Sequence, residues 1–189
     1  MIAEVQLRTP EATDGAALYH LVSRCPPLDA NSRYCNLLQC THFADTSVAA
    51  VRGGELVGFV TAYLLPHDPK TLFVWQVAVD EAGRGRGLAR RMLLDILQRP
   101  VCRGATHLET SITSDNEASW RTFRGFAQSF GAALERGPWL SSHVHFEGRH
   151  PSELLVRIGP FDATAAEART PETKKPARWR PRIETEETT

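Results

Sequence analysis

Three cysteines and a histidine lie close together near the start of the chain, in the stretch CPPLDANSRYCNLLQCTHF. They are Cys25, Cys35, Cys40 and His42, and such side chains bind zinc in structural sites. Their separations of nine, four and one intervening residues contain no C-x2-C pair, which argues against zinc. Cys35 and Cys40 also fit an apolar helical pattern with Leu38, where a free cysteine acts as a small hydrophobe. We predict no metal site here.

A second stretch whose residues could bind a ligand is VAVDEAGRGRGLARRML, which contains Arg84, Gly85, Arg86 and Gly87. A glycine-rich turn between a buried strand and a helix presents backbone N–H groups at the positive end of the helix dipole. Glycines let that backbone approach an anion, and the arginines add charge suited to phosphate. The spacing matches neither the G-x-G-x-x-G fingerprint nor a P-loop. The stretch therefore predicts a pyrophosphate-binding loop, with an ordinary turn as the alternative.

The surrounding segments alternate between patterns typical of strands and of helices. Seven strands are predicted: residues 5–8, two strands joined at Gly53-Gly54, residues 71–79, residues 107–113, HVHF and SELLVRI. Four regions are predicted as helices: residues 14–23, a helix capped by Asn31, a helix from Leu88 that ends before Pro100, and 116–127. This order predicts an α/β fold, with a mixed sheet flanked by helices.

The composition indicates a soluble globular protein. Of its 189 residues, 42% are hydrophobic and 23% are charged, and 22 basic residues balance 22 acidic ones. This balance gives no electrostatic reason to expect nucleic acid or a membrane as a partner. The N-terminus has no signal-peptide pattern, and scattered cysteines fit a reducing compartment, so we expect a cytoplasmic protein.

The composition changes near Phe161. Beyond it the chain is rich in alanine, threonine, proline and charge, without apolar periodicity, and such a segment cannot bury enough surface to fold. We predict one domain at residues 1–161, followed by a flexible tail at 162–189.

The run RGRGLA, residues 84–89, matches the R/Q-x-x-G-x-G/A signature of the GCN5-related N-acetyltransferase (GNAT) superfamily, which the chain resembles. The resemblance implies a mostly antiparallel central sheet with a splayed strand pair, and acetyl-CoA as co-substrate. It implies that loop amides hold the coenzyme pyrophosphate, while the strand before the loop and an asparagine after the next strand hold the pantetheine. The implied coenzyme-binding residues are Val77, Val79, Arg84, Gly85, Arg86, Gly87, Leu88, Ala89 and Asn116.

One position departs from the superfamily pattern. A tyrosine seven residues after the asparagine often protonates the departing thiolate, but Phe123 stands at that position. Either another residue serves, or the thiolate leaves unprotonated, which is tolerable for a thiol with a pKa near 8.5. A backbone N–H near Val77 would suit the oxyanion that forms on the acetyl group.

The resemblance narrows over residues 7–161. The cysteine-containing stretch, the strand–loop–helix segment and the closing HFEGRHPSELLVRIGPF together resemble the L-2,4-diaminobutyrate acetyltransferases. That resemblance implies transfer of an acetyl group to the 4-amino group of diaminobutyrate, a step toward the osmolyte ectoine, by a homodimer. The alternatives are acetylation of another small diamine or diamino acid, and a coenzyme-binding sensor without turnover, which Phe123 favours.

The acceptor must reach the thioester as a neutral amine, although an alkyl ammonium has a pKa near 10. Glu109 is the predicted catalytic base, with a surface carboxylate as the alternative, and His143 and His145 are further candidates. Trp75 is expected to stack on an ammonium group or to be a core aromatic residue. The predicted substrate-binding residues are Asp29, Asn31, Tyr34, Trp75, His150 and Glu153.

Overall fold

The computed structural model describes residues 4–163. Seven strands form one sheet: β1 (Gln6–Arg8), β2 (Val48–Arg52), β3 (Glu55–Leu65), β4 (Asp68–Val79), β5 (His107–Thr113), β6 (Leu134–Leu140) and β7 (Glu153–Ile158). Five α-helices accompany them: α1 (Gly15–Ser23), α2 (Arg33–Gln39), α3 (Leu88–Gln98), α4 (Glu117–Phe130) and α5 (Ser142–Phe146). The predicted tail lies outside the described residues from position 164 onward.

The strands are arranged in the order β1-β2-β3-β4-β5-β7-β6. Every neighbouring pair is antiparallel except β4 and β5, which are parallel and are connected through α3. The predicted mixed, mostly antiparallel sheet flanked by helices is confirmed.

An irregularity in β4 opens the middle of the sheet. Successive residues of β3 pair with Val74 and then with Gln76, so Trp75 is an extra residue in β4. Such a bulge bends its strand. On the other side, the pairing of β4 with β5 ends at Val74 and Thr110, although both strands continue. The two strands therefore diverge beyond this point, which is the splay that the resemblance implied.

Apolar packing covers both faces of the sheet. On one face, α3 and α4 contribute residues such as Met92, Ile96 and Phe126 to the larger core. On the other face, Leu18 and Leu21 of α1 pack beside Phe59 in a smaller core. The glycine-rich loop leads directly into α3, so the packing of α3 in this core holds the loop at the end of β4.

Two of the three cysteines that suggested a metal site, together with the fourth cysteine of the chain, are part of the apolar packing. Cys25 and Cys40 belong to the smaller core, and Cys102 belongs to the larger one. Burial raises the pKa of the Cys40 thiol to about 12 and that of Cys102 to about 11, so both are neutral at pH 7. Within residues 4–163, no group of three His, Cys, Asp or Glu residues is arranged to hold a metal ion.

Two predictions about local structure are wrong. The segment HVHF is the helix α5, because Ser141 caps it: the Ser141 hydroxyl accepts from Val144 N, and Ser141 N donates to His145 Nδ1 at 2.8 Å. The cap of α2 is Ser32, whose Oγ accepts from Cys35 N at 3.1 Å, and not Asn31. None of the helices in the described part of the chain is long and apolar enough to cross a membrane.

Candidate active site

The glycine-rich loop connects β4 to the first turn of α3. Gly85 and Gly87 have φ values of +72° and +71°, a region that side chains disfavour, and Gly87 is the N-cap of α3. Arg84 Nε donates to the Val79 carbonyl at 3.0 Å, which ties the loop to the end of the strand. The sequence places glycines where the backbone must turn, and the turn directs the loop toward the free N-terminus of α3.

A cavity of about 740 Å³ extends from this loop along β4 to α4, and we call it the coenzyme cavity. Eight of the nine predicted coenzyme residues line it: Val77, Val79, Arg84, Gly85, Gly87, Leu88, Ala89 and Asn116. The ninth, Arg86, is exposed and lies outside the lining, so the structure does not place it with the others. The prediction of Arg86 as a coenzyme ligand thus lacks geometric support.

Two arginines in the coenzyme cavity were not predicted. Arg90 comes from α3, one turn after the loop, and Arg121 comes from α4. Neither guanidinium has a hydrogen-bond or ion-pair partner within residues 4–163. Unpaired guanidinium groups suit the phosphates of a coenzyme. The position of Arg90 one turn beyond Gly87 was a signal that the sequence offered.

A second cavity of about 430 Å³ lies at the splay, and we call it the acceptor cavity. Five of the six predicted substrate residues line it: Asp29, Asn31, Trp75, His150 and Glu153. The sixth, Tyr34, has 70% of its surface exposed on α2 and lies outside the lining. The structure therefore brings together residues from the loop before α2, from the bulge and from the segment around β7.

His150 lies between two carboxylates in the acceptor cavity. Its Nε2 is 3.1 Å from Asp29 Oδ2 and 3.9 Å from Glu153 Oε1. Its Nδ1 is 2.7 Å from the Pro151 carbonyl oxygen. The Glu153 side chain is 18% exposed and the Asp29 side chain is 71% exposed. This pair of carboxylates suits a cationic ligand.

Gln76 was not predicted, yet it anchors the loop that carries Asp29. It is buried beside the bulge, and its Nε2 donates to the Asp29 carbonyl at 2.8 Å. Its Oε1 accepts from Asn31 Nδ2 at 2.9 Å, and its backbone N–H donates to Thr61 Oγ1 at 3.1 Å. Asn31 therefore uses its amide to hold the loop against β4.

Aromatic side chains form another wall of the acceptor cavity. The Phe73 ring centroid lies 5.3 Å from that of Tyr63 and 5.7 Å from that of Trp139. Burial and, to a lesser extent, the charge of Glu109 raise the pKa of Tyr63, so its phenol stays protonated at neutral pH. The wall is apolar and uncharged, and the charge of the cavity is concentrated at the carboxylates.

Glu109 does not occupy the position expected of a catalytic base. Glu109 is buried at 7% exposure, so the alternative interpretation, a surface carboxylate, is wrong as well. It also lies outside the lining of both cavities. Its Oε1 accepts from Arg157 Nη1, directly across the β5–β7 pair. An ion pair with Arg157 occupies the carboxylate, so the geometry argues against Glu109 as the base. His143 and His145, the further candidates, lie outside both linings as well.

The two cavities meet beside β4. Within residues 4–163, six residues line both: Pro27, Leu28, Val77, Asn116, Ser119 and Phe123. An acetyl thioester entering along the coenzyme cavity would reach the acceptor at this junction. Val77, predicted to stabilise the oxyanion, is one of the six, and its role stays a prediction.

Comparisons with known proteins agree with this arrangement. Residues 15–127 match the model of the Acetyltransferase (GNAT) family. The chain is 50% identical to the L-2,4-diaminobutyric acid acetyltransferase of Methylotuvimicrobium alcaliphilum over 162 residues, which cover 86% of this chain and 94% of that protein. It is 51% identical to the Bordetella parapertussis protein of the same name over 156 residues, covering 82% and 84% of the two chains.

A solved structure is similar over nearly the same extent. The diaminobutyrate acetyltransferase EctA of Paenibacillus lautus, in complex with its substrate L-2,4-diaminobutyric acid and coenzyme A, is 38% identical, with a TM-score of 0.81. The match covers 84% of this chain and 96% of that one. These matches confirm the resemblance, and the chain belongs to the acetyltransferase (GNAT) family and, within it, to the L-2,4-diaminobutyric acid acetyltransferases.

Proposed function

We propose that the protein transfers the acetyl group of acetyl-CoA to the 4-amino group of L-2,4-diaminobutyrate and thereby performs a step of ectoine biosynthesis, the formation of an osmolyte precursor. The observation that carries this proposal is the junction of a coenzyme cavity with a cavity bearing two carboxylates, in a chain 38% identical to an enzyme solved with diaminobutyrate and coenzyme A. The products are N4-acetyl-L-2,4-diaminobutyrate and free coenzyme A.

The coenzyme would bind through groups at the end of β4 and at the start of α3. The N-terminus of α3 leaves backbone N–H groups free for the pyrophosphate, and Arg84 adds positive charge. Beyond Val74, the β4 edge no longer pairs with β5, so its backbone can bind the amides of pantetheine. The acyl end then points toward the junction of the cavities.

Diaminobutyrate would bind with an ammonium group near Asp29 and Glu153. The ammonium would replace the contacts that His150 makes with the two carboxylates. Among residues 4–163, the cavity lining includes no arginine or lysine, so the groups that these residues offer to the substrate carboxylate are neutral donors and His150. The side chain of diaminobutyrate would then extend the 4-amino group toward Val77 and the thioester.

The reaction is a direct transfer within a ternary complex. The neutral 4-amino nitrogen attacks the thioester carbonyl carbon, the new C–N bond forms, and the C–S bond breaks as coenzyme A leaves. The carbonyl oxygen gains negative charge in the transition state, and a backbone N–H near Val77 would stabilise it. The six described residues that line both cavities include no cysteine, so none of them could carry the acetyl group as a thioester.

We propose a homodimer as the assembly, on the strength of the family resemblance. Light scattering coupled to size-exclusion chromatography tests this: a mass near twice the 21.0 kDa of the chain supports it, and a monomer mass refutes it.

The proposed activity is tested by thiol release from acetyl-CoA with diaminobutyrate, ornithine, lysine and putrescine in parallel. We expect the highest kcat/KM with diaminobutyrate. A higher kcat/KM with another amine would show that diaminobutyrate is not the preferred substrate, but the reaction would still be an acetyl transfer. Coenzyme binding without thiol release for any amine would favour a sensor.

A further inference from the structure

The structure leaves the departing thiolate without the phenol that the superfamily often uses. Phe123 is buried at 3% exposure at the junction of the cavities, and its ring has no proton to donate. Of the six residues that line both cavities, only Asn116 and Ser119 have polar side chains. A group that exchanges protons with both the departing sulfur and the attacking amine should border both cavities.

Ser119 is the better placed of the two. The Asn116 side chain caps α4, because its Oδ1 accepts from Ser119 N at 3.1 Å. The Ser119 hydroxyl has no hydrogen-bond partner anywhere in residues 4–163. Ser119 also precedes Phe123 by four residues, which places both side chains on the same face of α4. A free hydroxyl thus stands one turn from the position where a tyrosine would otherwise act.

Other hydroxyl groups in the cavities are less suitable. Thr110, Ser111 and Thr113 line the acceptor cavity alone, and the Thr113 hydroxyl donates to Asp115 Oδ1 at 2.7 Å. Thr122 lines the coenzyme cavity alone, and its hydroxyl donates to the Ala118 carbonyl at 3.0 Å. Among the described hydroxyl groups of the two linings, that of Ser119 alone borders both cavities.

We infer that Ser119 is a catalytic residue that relays a proton from the attacking amine to the departing sulfur. As the C–S bond breaks, the Ser119 Oγ–H proton passes to sulfur, and Oγ receives a proton from the nitrogen that has just bonded to the acetyl carbon. The serine is regenerated, and the products are the neutral amide and the coenzyme A thiol. No further acid or base is consumed in this step. The inference rests on the proposed function.

The test compares kcat and both KM values for the wild type, Ser119→Ala and Ser119→Thr. Acid–base groups contribute about 10²–10⁴-fold, and a thiol with an ordinary pKa near 8.5 leaves readily, so we expect kcat of Ser119→Ala to fall about 10- to 100-fold. Both KM values should change less than about twofold, since the hydroxyl acts in the transition state. Ser119→Thr keeps a hydroxyl and should retain kcat within about fivefold of wild type.

Ser129→Ala is the matched control, because it removes a hydroxyl from the same helix outside both cavities, where it donates to the Phe126 carbonyl. Its kcat should equal that of the wild type. Thermal unfolding of each variant checks that the fold is retained.

A kcat for Ser119→Ala close to that of the wild type would overturn the inference, as would an equal loss in Ser119→Thr. A loss confined to the KM for acetyl-CoA would also overturn it, because it would assign Ser119 to binding. A wild-type enzyme that releases no thiol with diaminobutyrate would refute the proposed function and this inference together. An active wild type with an equally active Ser119→Ala would refute the inference alone.

Discussion

The unequal exposure of the two carboxylates in the acceptor cavity predicts unequal effects of neutralising them. Two unit charges about 4 Å apart attract by about 4 kcal/mol at an effective dielectric constant near 20, and by about 1 kcal/mol in bulk water. The Glu153 side chain is only 18% exposed, so its attraction for an ammonium should be nearer the larger value. The Asp29 side chain is 71% exposed, so its attraction should be nearer the value for bulk water. Because the neutral variants keep hydrogen-bonding capacity, part of the Glu153 contribution should survive.

We therefore expect Glu153→Gln to lose about 2 kcal/mol of diaminobutyrate binding, roughly 30-fold in KM, and Asp29→Asn to lose about 1 kcal/mol, roughly fivefold. Steady-state thiol release measured against diaminobutyrate and, separately, against acetyl-CoA checks both values. The KM for acetyl-CoA should stay within about twofold of wild type in both variants. Glu147→Gln is the matched control, because Glu147 is 77% exposed and lies outside both cavities.

An equal or larger effect of Asp29→Asn would refute the reasoning from exposure. A rise in the KM for acetyl-CoA in either variant would refute the assignment of the carboxylates to the acceptor cavity. Unchanged amine kinetics in both would remove them from the site.

Three further predictions concern the coenzyme loop, the acceptor loop and pH stability. Arg84→Ala should raise the KM for acetyl-CoA about tenfold and that for the amine less, as steady-state kinetics would show. Gln76→Ala removes two hydrogen bonds to the acceptor loop, each contributing about 0.5–1.5 kcal/mol, and should raise the KM for diaminobutyrate with little change in that for acetyl-CoA. Asp14 accepts from Arg8 in an ion pair that lowers the Asp14 pKa, so its carboxylate stabilises the fold above its ordinary pKa. Thermal melts should show Asp14→Asn less stable than wild type at pH 7, with the difference vanishing as the pH falls below about 4.

Each of these predictions has an outcome that contradicts it. If Arg84→Ala raised the KM for the amine more than that for acetyl-CoA, the assignment of the loop to coenzyme binding would be wrong. An unchanged KM for diaminobutyrate in Gln76→Ala would show that the loop keeps its position without the amide. A stability difference for Asp14→Asn that persists at low pH would have a cause other than the ion pair with Arg8.

The features that the sequence predicted well are those fixed by neighbouring residues. Glycines at 53–54 and at 85 and 87 have positive φ values in the structure, and each supports the turn that the pattern indicated. The apolar residues of α3 recur at helical spacing and form its buried face. These signals are local, so a single sequence contains them.

The features that the sequence did not predict depend on residues far apart in the chain. Gln76 forms hydrogen bonds with Asn31 and Asp29, which lie 45 and 47 positions earlier in the chain. No local sequence pattern connects these residues. The prediction of Glu109 as the base could not account for Arg157, 48 residues later, which becomes its neighbour only when β5 pairs with β7. The error at HVHF has another cause: alternation of polar and apolar residues predicted a strand, but the hydrogen bonds of the Ser141 cap favour a helix.

The position of the acetyl group on the product tests the central claim most directly. The enzyme would be incubated with diaminobutyrate and acetyl-CoA labelled with 13C at the acetyl carbonyl, and long-range proton–carbon NMR correlations would identify the acetylated nitrogen. The account predicts that, among the C–H protons of the diaminobutyrate part, only those on carbon 4 correlate with the labelled carbonyl. A correlation to the proton on carbon 2, or no acetylated product, would contradict it.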